Sequence, residues 1–155
     1  MSSTRQPRDP GATDHKLIRS HRDLSVWQRA FDTSMRIFEL SKCFPPQEMY
    51  SLTDQIRRSS RSVTTNIAEA WRKRRYEPAF VSKLNDAEAE AAETQDWLRY
   101  AVACGYLARD EAAPLYQAYE EVLKTLVGMI THADAWVFPM TAKSARKAKD
   151  QGPSP

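Results

Sequence analysis

The feature that most constrains the fold is residues 53–75, TDQIRRSSRSVTTNIAEAWRKRR. At about 100° per residue, an α-helix sorts these side chains into three faces. One face is apolar, the opposite face carries arginines, and a seam of small and polar side chains lies between them. The apolar face consists of Leu52 (directly upstream), Ile56, Val63, Ile67 and Ala70. Such a helix can build a core, bind an anion and contact a partner.

Two of these faces carry the polar and charged side chains. The arginine face has Arg57, Arg58, Arg61, Arg72 and Arg75, and the cluster at its end adds Trp71, Lys73 and Arg74. The polar seam consists of Gln55, Ser59, Ser62, Asn66 and Glu69, at spacings of four, three, four and three residues.

The rest of the chain predicts an all-α fold. It has only 4 glycines, and no Val/Ile/Thr-rich run alternates as a strand would. The first helix begins near Ser25 and stops at Phe44-Pro45-Pro46, because proline cannot donate the helical hydrogen bond. The other predicted helices run from Asp54 to about Arg74 with Thr53 as the cap, from about Glu77 to Cys104 with Gly105 as the stop, and from Arg109 or Asp110 to a close at Pro139.

Four amphipathic helices with short connections predict an up-down-up-down four-helix bundle. We place the bundle at residues 22–138. Residues 1–21 are expected to form a disordered arm, and residues 139–155 a disordered basic tail, because both stretches are polar and poor in large apolar side chains. The length of 155 residues suits one such domain.

Charge is divided sharply between neighbouring segments. Residues 53–75 carry seven Lys or Arg against two acids, while residues 77–96 carry six acids against one lysine. The third helix places Asp86, Glu90, Glu93 and Trp97 in a row, called the acidic row below. Segments of opposite sign can attract each other, another copy or different partners.

The sequence lacks the residue patterns that metal binding, nucleophilic catalysis and phosphate-binding loops require. None of the three histidines, His15, His21 and His132, has a Glu three positions before it, as a di-iron bundle site requires. No histidine accompanies the serines of the second helix, and no glycines cluster into a phosphate-binding loop. We therefore predict no catalytic residues, no metal site, no cofactor and no enzyme activity.

The remaining sequence signals bear on the compartment. Cys43 and Cys104 form no CxxC motif and are expected to be free thiols. A disulfide between them is also possible, because both cysteines lie near helix ends that are predicted at the same end of the bundle. No apolar run approaches the length of a membrane span. We expect a cytoplasmic protein without membrane contact.

The arginine face has two interpretations. Guanidinium groups bind phosphate well, and Trp71 could stack on an unpaired base. This hypothesis assigns RNA or DNA binding to Arg57, Arg58, Arg61, Arg72, Lys73, Arg74, Arg75 and Trp71. Alternatively, the arginines form ion pairs with the acidic row, within one chain or between subunits, and the protein is an interaction adaptor. The polar seam is predicted to be an oligomer interface, and its alternative is a half-exposed shoulder of the core.

Specific residues resemble a known family. The matching positions are Leu24, Val26-Trp27-Gln28, Ala30, Phe44-Pro45, Glu48, Leu52, Gln55, Arg57-Arg58, Ser62-Val63, Asn66-Ile67 and Glu69. Together they resemble the proteins encoded in bacterial 23S rRNA intervening sequences and the accessory variability protein of diversity-generating retroelements. The resemblance implies a four-helix bundle assembled as a pentameric ring. The retroelement members resemble RNA-binding adaptors that hold a reverse transcriptase, so a nearby reverse transcriptase would be a candidate partner.

Overall fold

The computed structural model describes residues 18–139 and confirms an all-α fold. Its four helices are α1 (Ser25–Ser41), α2 (Leu52–Arg72), α3 (Glu77–Ala103) and α4 (Arg109–Thr131). Short 3₁₀ turns occupy His21–Asp23, Pro46–Glu48 and Ala133–Ala135. Most of the predicted arm and tail lies outside the described residues.

Each helix runs antiparallel to the next, which confirms the up-down-up-down bundle. Between α2 and α3, Lys83 Nζ lies 2.9 Å from Glu69 Oε2, and further along, Ser59 meets Thr94. Between α3 and α4, Gln95 Nε2 donates to Glu120 Oε1 at 2.8 Å. Helix α1 packs against both α2 and α4 and closes the bundle.

The predicted apolar faces meet in one core. All five residues of the predicted apolar face of α2 are buried, and so are the main apolar positions of α3 and α4. These are Phe80, Leu84, Ala87, Ala91, Leu98 and Ala101 on α3, and Leu115, Tyr119, Val122, Leu126 and Met129 on α4. Periodicity located this core because each helix buries one stripe against its two neighbours.

The start of α2 differs from the predicted one, because a side chain outside the helix caps it. Helix α2 begins at Leu52 because the Glu48 carboxylate accepts hydrogen bonds from the Leu52 N–H and the Ser51 hydroxyl. Thr53, the predicted cap, is buried instead. Helix α3 ends at Ala103, two residues before the predicted stop Gly105, whose φ of 78° lets the Tyr106 N–H bond the Ala101 carbonyl at 2.8 Å.

The Tyr119 hydroxyl lies in the core, where burial of an unsatisfied polar group is unfavourable. Its side chain is fully buried, and among residues 18–139 its hydroxyl has no hydrogen-bond partner. Burial raises the pKa of this phenol. We expect Tyr119→Phe to raise the free energy of unfolding by about 1 kcal/mol or more, because it removes an unsatisfied polar atom without opening a large cavity. Urea denaturation measures this, and Tyr119→Leu is the control that loses packing; a destabilised Tyr119→Phe variant would contradict the expectation.

Candidate nucleic-acid interface

The N-terminal half of the arginine face borders a shallow surface groove. Arg57, Arg58 and Arg61 line it, and Arg57 and Arg61 lie about one helical turn apart along α2. Its volume is about 510 Å³, and the other lining residues are Met49, Asp54, Ser62 and Thr65. Asp54 is the only acid among these lining residues, so the groove is an electropositive surface open to solvent.

A group of cations gathers around the ring of Phe38 on α1. Lys42 Nζ lies 4.9 Å from the ring centroid, and the guanidinium carbons of Arg57 and Arg61 lie 5.0 and 5.6 Å from it. Arg57 Nε also donates to Ser41 Oγ at 2.7 Å. The ring and the serine hold the two arginines in place without neutralising them. We call Lys42, Arg57 and Arg61 the cation cluster.

Sequence reasoning missed the α1 contribution to this cluster. Phe38 and Lys42 stand four residues apart at the end of α1, which places them on one side of that helix. That spacing was visible in the sequence. Their meeting with Arg57 and Arg61 depends on how α1 packs against α2, which no single-helix pattern specifies.

Arg58 differs from its neighbours because it turns toward α3. Its Nη2 donates to Gln55 Oε1 at 2.9 Å and lies 3.8 Å from Glu93 Oε1. Within the described part of the chain, Arg57 and Arg61 form no ion pair with any acid. The acidic row therefore meets α2 through Arg58, while Lys83 pairs with Asp86 at 3.7 Å.

At the C-terminal end of α2, Trp71 and Arg74 pack against each other and against the rest of the chain. Trp71 is only 7% exposed, and the Arg74 guanidinium carbon lies 3.4 Å from its ring centroid. Arg74 also donates from Nε to the Trp71 carbonyl at 2.8 Å and covers the Phe138 ring. Burial, and to a lesser extent Arg72, lowers the pKa of Arg74. The ring face that was expected to stack on a base is thus covered by the chain itself.

The other cations at the C-terminal end of α2 are open to solvent. Arg72, Lys73 and Arg75 are exposed. Arg72 lies eleven residues beyond Arg61, about 16 Å along the helix axis at 1.5 Å per residue. The arginine face is thus two basic patches on one helix.

The polar seam lies along the line where α2 meets α3. Ser59 is completely buried, and its hydroxyl lies 2.8 Å from Thr94 Oγ1. It packs inside the chain and offers no surface to a second copy, which corrects its assignment to an interface. Gln55, Ser62 and Asn66 are half-buried, and Glu69 is exposed beside Lys83. Asn66 Nδ2 donates to the Ser62 carbonyl at 2.9 Å and to the Ser62 hydroxyl at 3.1 Å.

The environment of Glu90, in the acidic row, disfavours the ionised form of its carboxyl group. Its Oε2 is buried and has no hydrogen-bond partner among residues 18–139. Burial, and then repulsion from Glu93, raises the pKa of this carboxyl, although the Arg58 charge opposes the shift. A raised carboxyl pKa means that the folded chain binds the proton more tightly than the unfolded chain does.

This shift predicts a pH-dependent stability difference. Stability contributed by protonated Glu90 is lost as the pH rises from about 4.5, the unfolded value, through the folded pKa. We expect Glu90→Gln to be more stable than the natural chain by about 1 kcal/mol at neutral pH, because it buries no charge. The difference should shrink toward pH 4.5. Thermal denaturation across this pH range measures it, with Asp96→Asn at an exposed position of α3 as the control; a constant difference would contradict the assignment.

Other candidate chemistry is sparse in the described residues. Cys43 and Cys104 are exposed free thiols. No group of three or more His, Cys, Asp or Glu within residues 18–139 could hold a metal ion. None of the described helices is long and apolar enough to cross a membrane.

The fold and this surface define a class of protein: a small antiparallel helical bundle with an electropositive helix. The chain belongs to the 23S rRNA-intervening sequence protein family, whose model matches residues 22–128. The resemblance to that family is therefore confirmed.

A solved structure supports the same assignment. It is a protein of unknown function from the S23 ribosomal protein family of Bacteroides thetaiotaomicron VPI-5482, determined by crystallography at 1.70 Å. It is 30% identical to this chain with a TM-score of 0.62, and the match covers 68% of this chain and 97% of the other. No curated protein matches the sequence.

Proposed function

We propose that this chain is a non-enzymatic accessory protein that binds RNA through the arginine face of α2. The observation that carries the proposal is the cation cluster. Three positive groups surround one aromatic ring; Lys42 pairs with the exposed Glu39 at 3.1 Å, whereas Arg57 and Arg61 have no carboxylate partner in the described residues. Unpaired, positioned guanidinium groups favour a phosphate ligand. The resemblance to RNA-binding adaptors of retroelements is the reason for choosing RNA over DNA.

The intramolecular form of the adaptor hypothesis has less support. It requires the arginines to be used up by the acidic row. Arg58 alone approaches that row, and its side chain and that of Glu93 keep 58% and 35% of their exposure at a separation of 3.8 Å. An exposed pair of this kind contributes little stability. Ion pairs between subunits are the form of that hypothesis that an experiment has to separate from RNA binding.

Salt dependence of binding provides the test. If Lys42, Arg57, Arg61, Arg72 and Arg75 each contact a phosphate, the slope of log affinity against log salt should be about −3.5 for single-stranded RNA. Fluorescence anisotropy with a labelled RNA, from 50 to about 200 mM salt, gives this slope. A DNA strand of the same sequence tests the choice of RNA. A slope near zero, or no binding at the lowest salt, would overturn the proposal.

We further propose that the protein acts as a homo-oligomer, a pentameric ring as the family resemblance implies. A ring repeats a modest basic surface and so raises avidity without new contacts. Half-buried Ser62 and Asn66 mark the part of the polar seam that a neighbouring copy can reach. A reverse transcriptase encoded nearby would be a candidate protein partner of such a ring.

We expect Ser62→Leu and Asn66→Leu to lower the mass in solution, because a larger apolar side chain blocks close approach of a second helix at this seam. Analytical ultracentrifugation should show the natural chain at a multiple of the 17.7 kDa monomer, fivefold for the ring. Thr125→Leu on α4 is the control, because α4 does not pack beside α2. A monomeric natural chain, or unchanged masses in both variants, would remove this part of the proposal.

A further inference from the structure

A second depression lies on the other side of the α2 N-terminus from the arginine groove. Its volume is about 570 Å³, and it is formed by the segment before α2, the first turn of α2 and the end of α3. Three aromatic side chains line it: Tyr50, Trp97 and Tyr100. Gln55 and Cys104 belong to its wall.

The aromatic rings present open faces. Tyr50 is 91% exposed and Tyr100 is 55% exposed. Trp97 packs partly on the core, and its Nε1 donates to Glu93 Oε1 at 3.2 Å, which fixes the orientation of the indole. The Trp97 and Tyr100 ring centroids lie 5.6 Å apart at an angle of 42°. Exposed aromatic rings around one depression are typical of a recognition surface.

Arg58 joins this depression to the arginine groove. It lines the groove, and it also contacts Gln55 in the wall of the depression and approaches Glu93, which holds the Trp97 indole. Met49 opens on the groove and the next residue, Tyr50, opens on the depression. A strand whose phosphates lie on the arginines would therefore have an adjacent base within reach of the rings.

We propose that this depression accepts an unpaired nucleobase of a single-stranded RNA whose phosphates bind the arginine face. The inference rests on the proposed function and adds the form of RNA that is recognised. Aromatic side chains stack on unpaired bases with about 1–3 kcal/mol per base, and an amide such as that of Gln55 can bond a base edge. We call this depression the base pocket.

A cationic side chain from a protein would be the competing ligand, but the two carboxylates near the pocket already have partners. The Glu48 carboxylate already accepts hydrogen bonds from the Ser51 hydroxyl, the Leu52 N–H and the Tyr106 hydroxyl. These three bonds, that of Ser51 first, lower the pKa of Glu48. Its oxygens already accept bonds from these three donors, and Arg58 lies beside the other nearby acid, Glu93. A cationic side chain would have to compete with these partners, whereas a base needs only the ring faces and the Gln55 amide.

The test compares single-stranded and duplex RNA of one sequence. We expect the double variant Tyr50→Ala/Tyr100→Ala to lose about tenfold affinity or more for the single strand, with little change for the duplex, because duplex bases stay stacked. The salt slope should not change, since no cation is removed. Tyr76→Ala is the matched control, as this tyrosine is 66% exposed at the other end of α2.

A spectroscopic readout complements the affinities. Stacking on the Trp97 indole should quench tryptophan emission when the single strand binds, and Trp97→Phe should remove most of that quenching while leaving the fold intact. Retained quenching in this variant would overturn the base pocket.

The outcomes separate the two proposals. If the natural chain binds no RNA at low salt, the proposed function fails and the base pocket fails with it. If the natural chain binds with the expected salt slope but the double tyrosine variant binds equally well, only the base pocket is wrong. Equal losses for single strand and duplex, or a lower mass of the variant in solution, would also overturn it, and the lower mass would assign these tyrosines to contacts between copies.

Discussion

Replacing Arg57 and Arg61 together with alanine is expected to weaken RNA binding by about 100-fold at low salt. Each arginine contributes a charge-assisted contact of about 1.5 kcal/mol, which is roughly tenfold in affinity. Both side chains already lie against the Phe38 ring, so little ordering is needed when phosphate binds. The salt slope should become shallower by about 1.4, since two contacts are lost from a single strand. Anisotropy titrations at several salt concentrations measure both effects.

Net charge alone would give a different pattern, and a matched variant separates the two explanations. Arg109→Ala/Lys124→Ala removes the same charge from exposed positions on α4, which does not pack beside α2. Its affinity should fall only slightly. Arg57→Lys/Arg61→Lys should keep the slope but lose part of the affinity, because lysine lacks the planar fork. Equal losses in the alanine pairs on α2 and α4 would show that the cation cluster is not a specific site.

Replacing Trp71 with alanine is expected to lower the free energy of unfolding by about 3–5 kcal/mol, the range for large aromatic truncations in cores. Trp71 is 7% exposed and supports Arg74, which in turn covers Phe138. The substitution removes the ring from the core and leaves the half-buried Arg74 guanidinium without its aromatic contact. Urea denaturation followed by circular dichroism measures the change.

Trp71→Phe keeps an aromatic ring in this position and tests binding in a folded chain. It should cost much less stability, and its RNA affinity should equal that of the natural chain, because the Trp71 ring is not available to a base. A stable Trp71→Ala variant that has lost RNA binding would instead support the stacking role expected from the sequence.

Much of the fold could be predicted from periodicity. The five residues of the predicted apolar face of α2 are all buried because a helix repeats its direction every 3.6 residues, and burial follows that repeat. Gly105 stops α3 as expected because it adopts a positive φ. The start of α2 was missed because its cap, Glu48, comes from the preceding 3₁₀ turn and not from the first helical turn.

The candidate site was predictable only as a list of residues on α2. The face of each arginine followed from the helix, but its partner did not. Arg57 rests on α1, Arg58 reaches toward α3, and Arg74, just past the end of α2, covers Trp71. Three arginines of one short stretch therefore have three different environments. Ser59 and Ser62 also differ in environment: Ser59 lies in the core and Ser62 is half-buried.

By itself, the sequence determined the helices, their apolar stripes and the excess of positive charge on α2, because these depend on the local geometry of a helix and on composition. Only the tertiary structure decided which of those charges are unpaired. Guanidinium groups are long and flexible, and the neighbouring helices set their partners. The approach of α1 placed Phe38 and Lys42 beside Arg57 and Arg61, and the approach of α3 drew Arg58 away from them. The cation cluster and the base pocket exist only where residues distant in the chain meet.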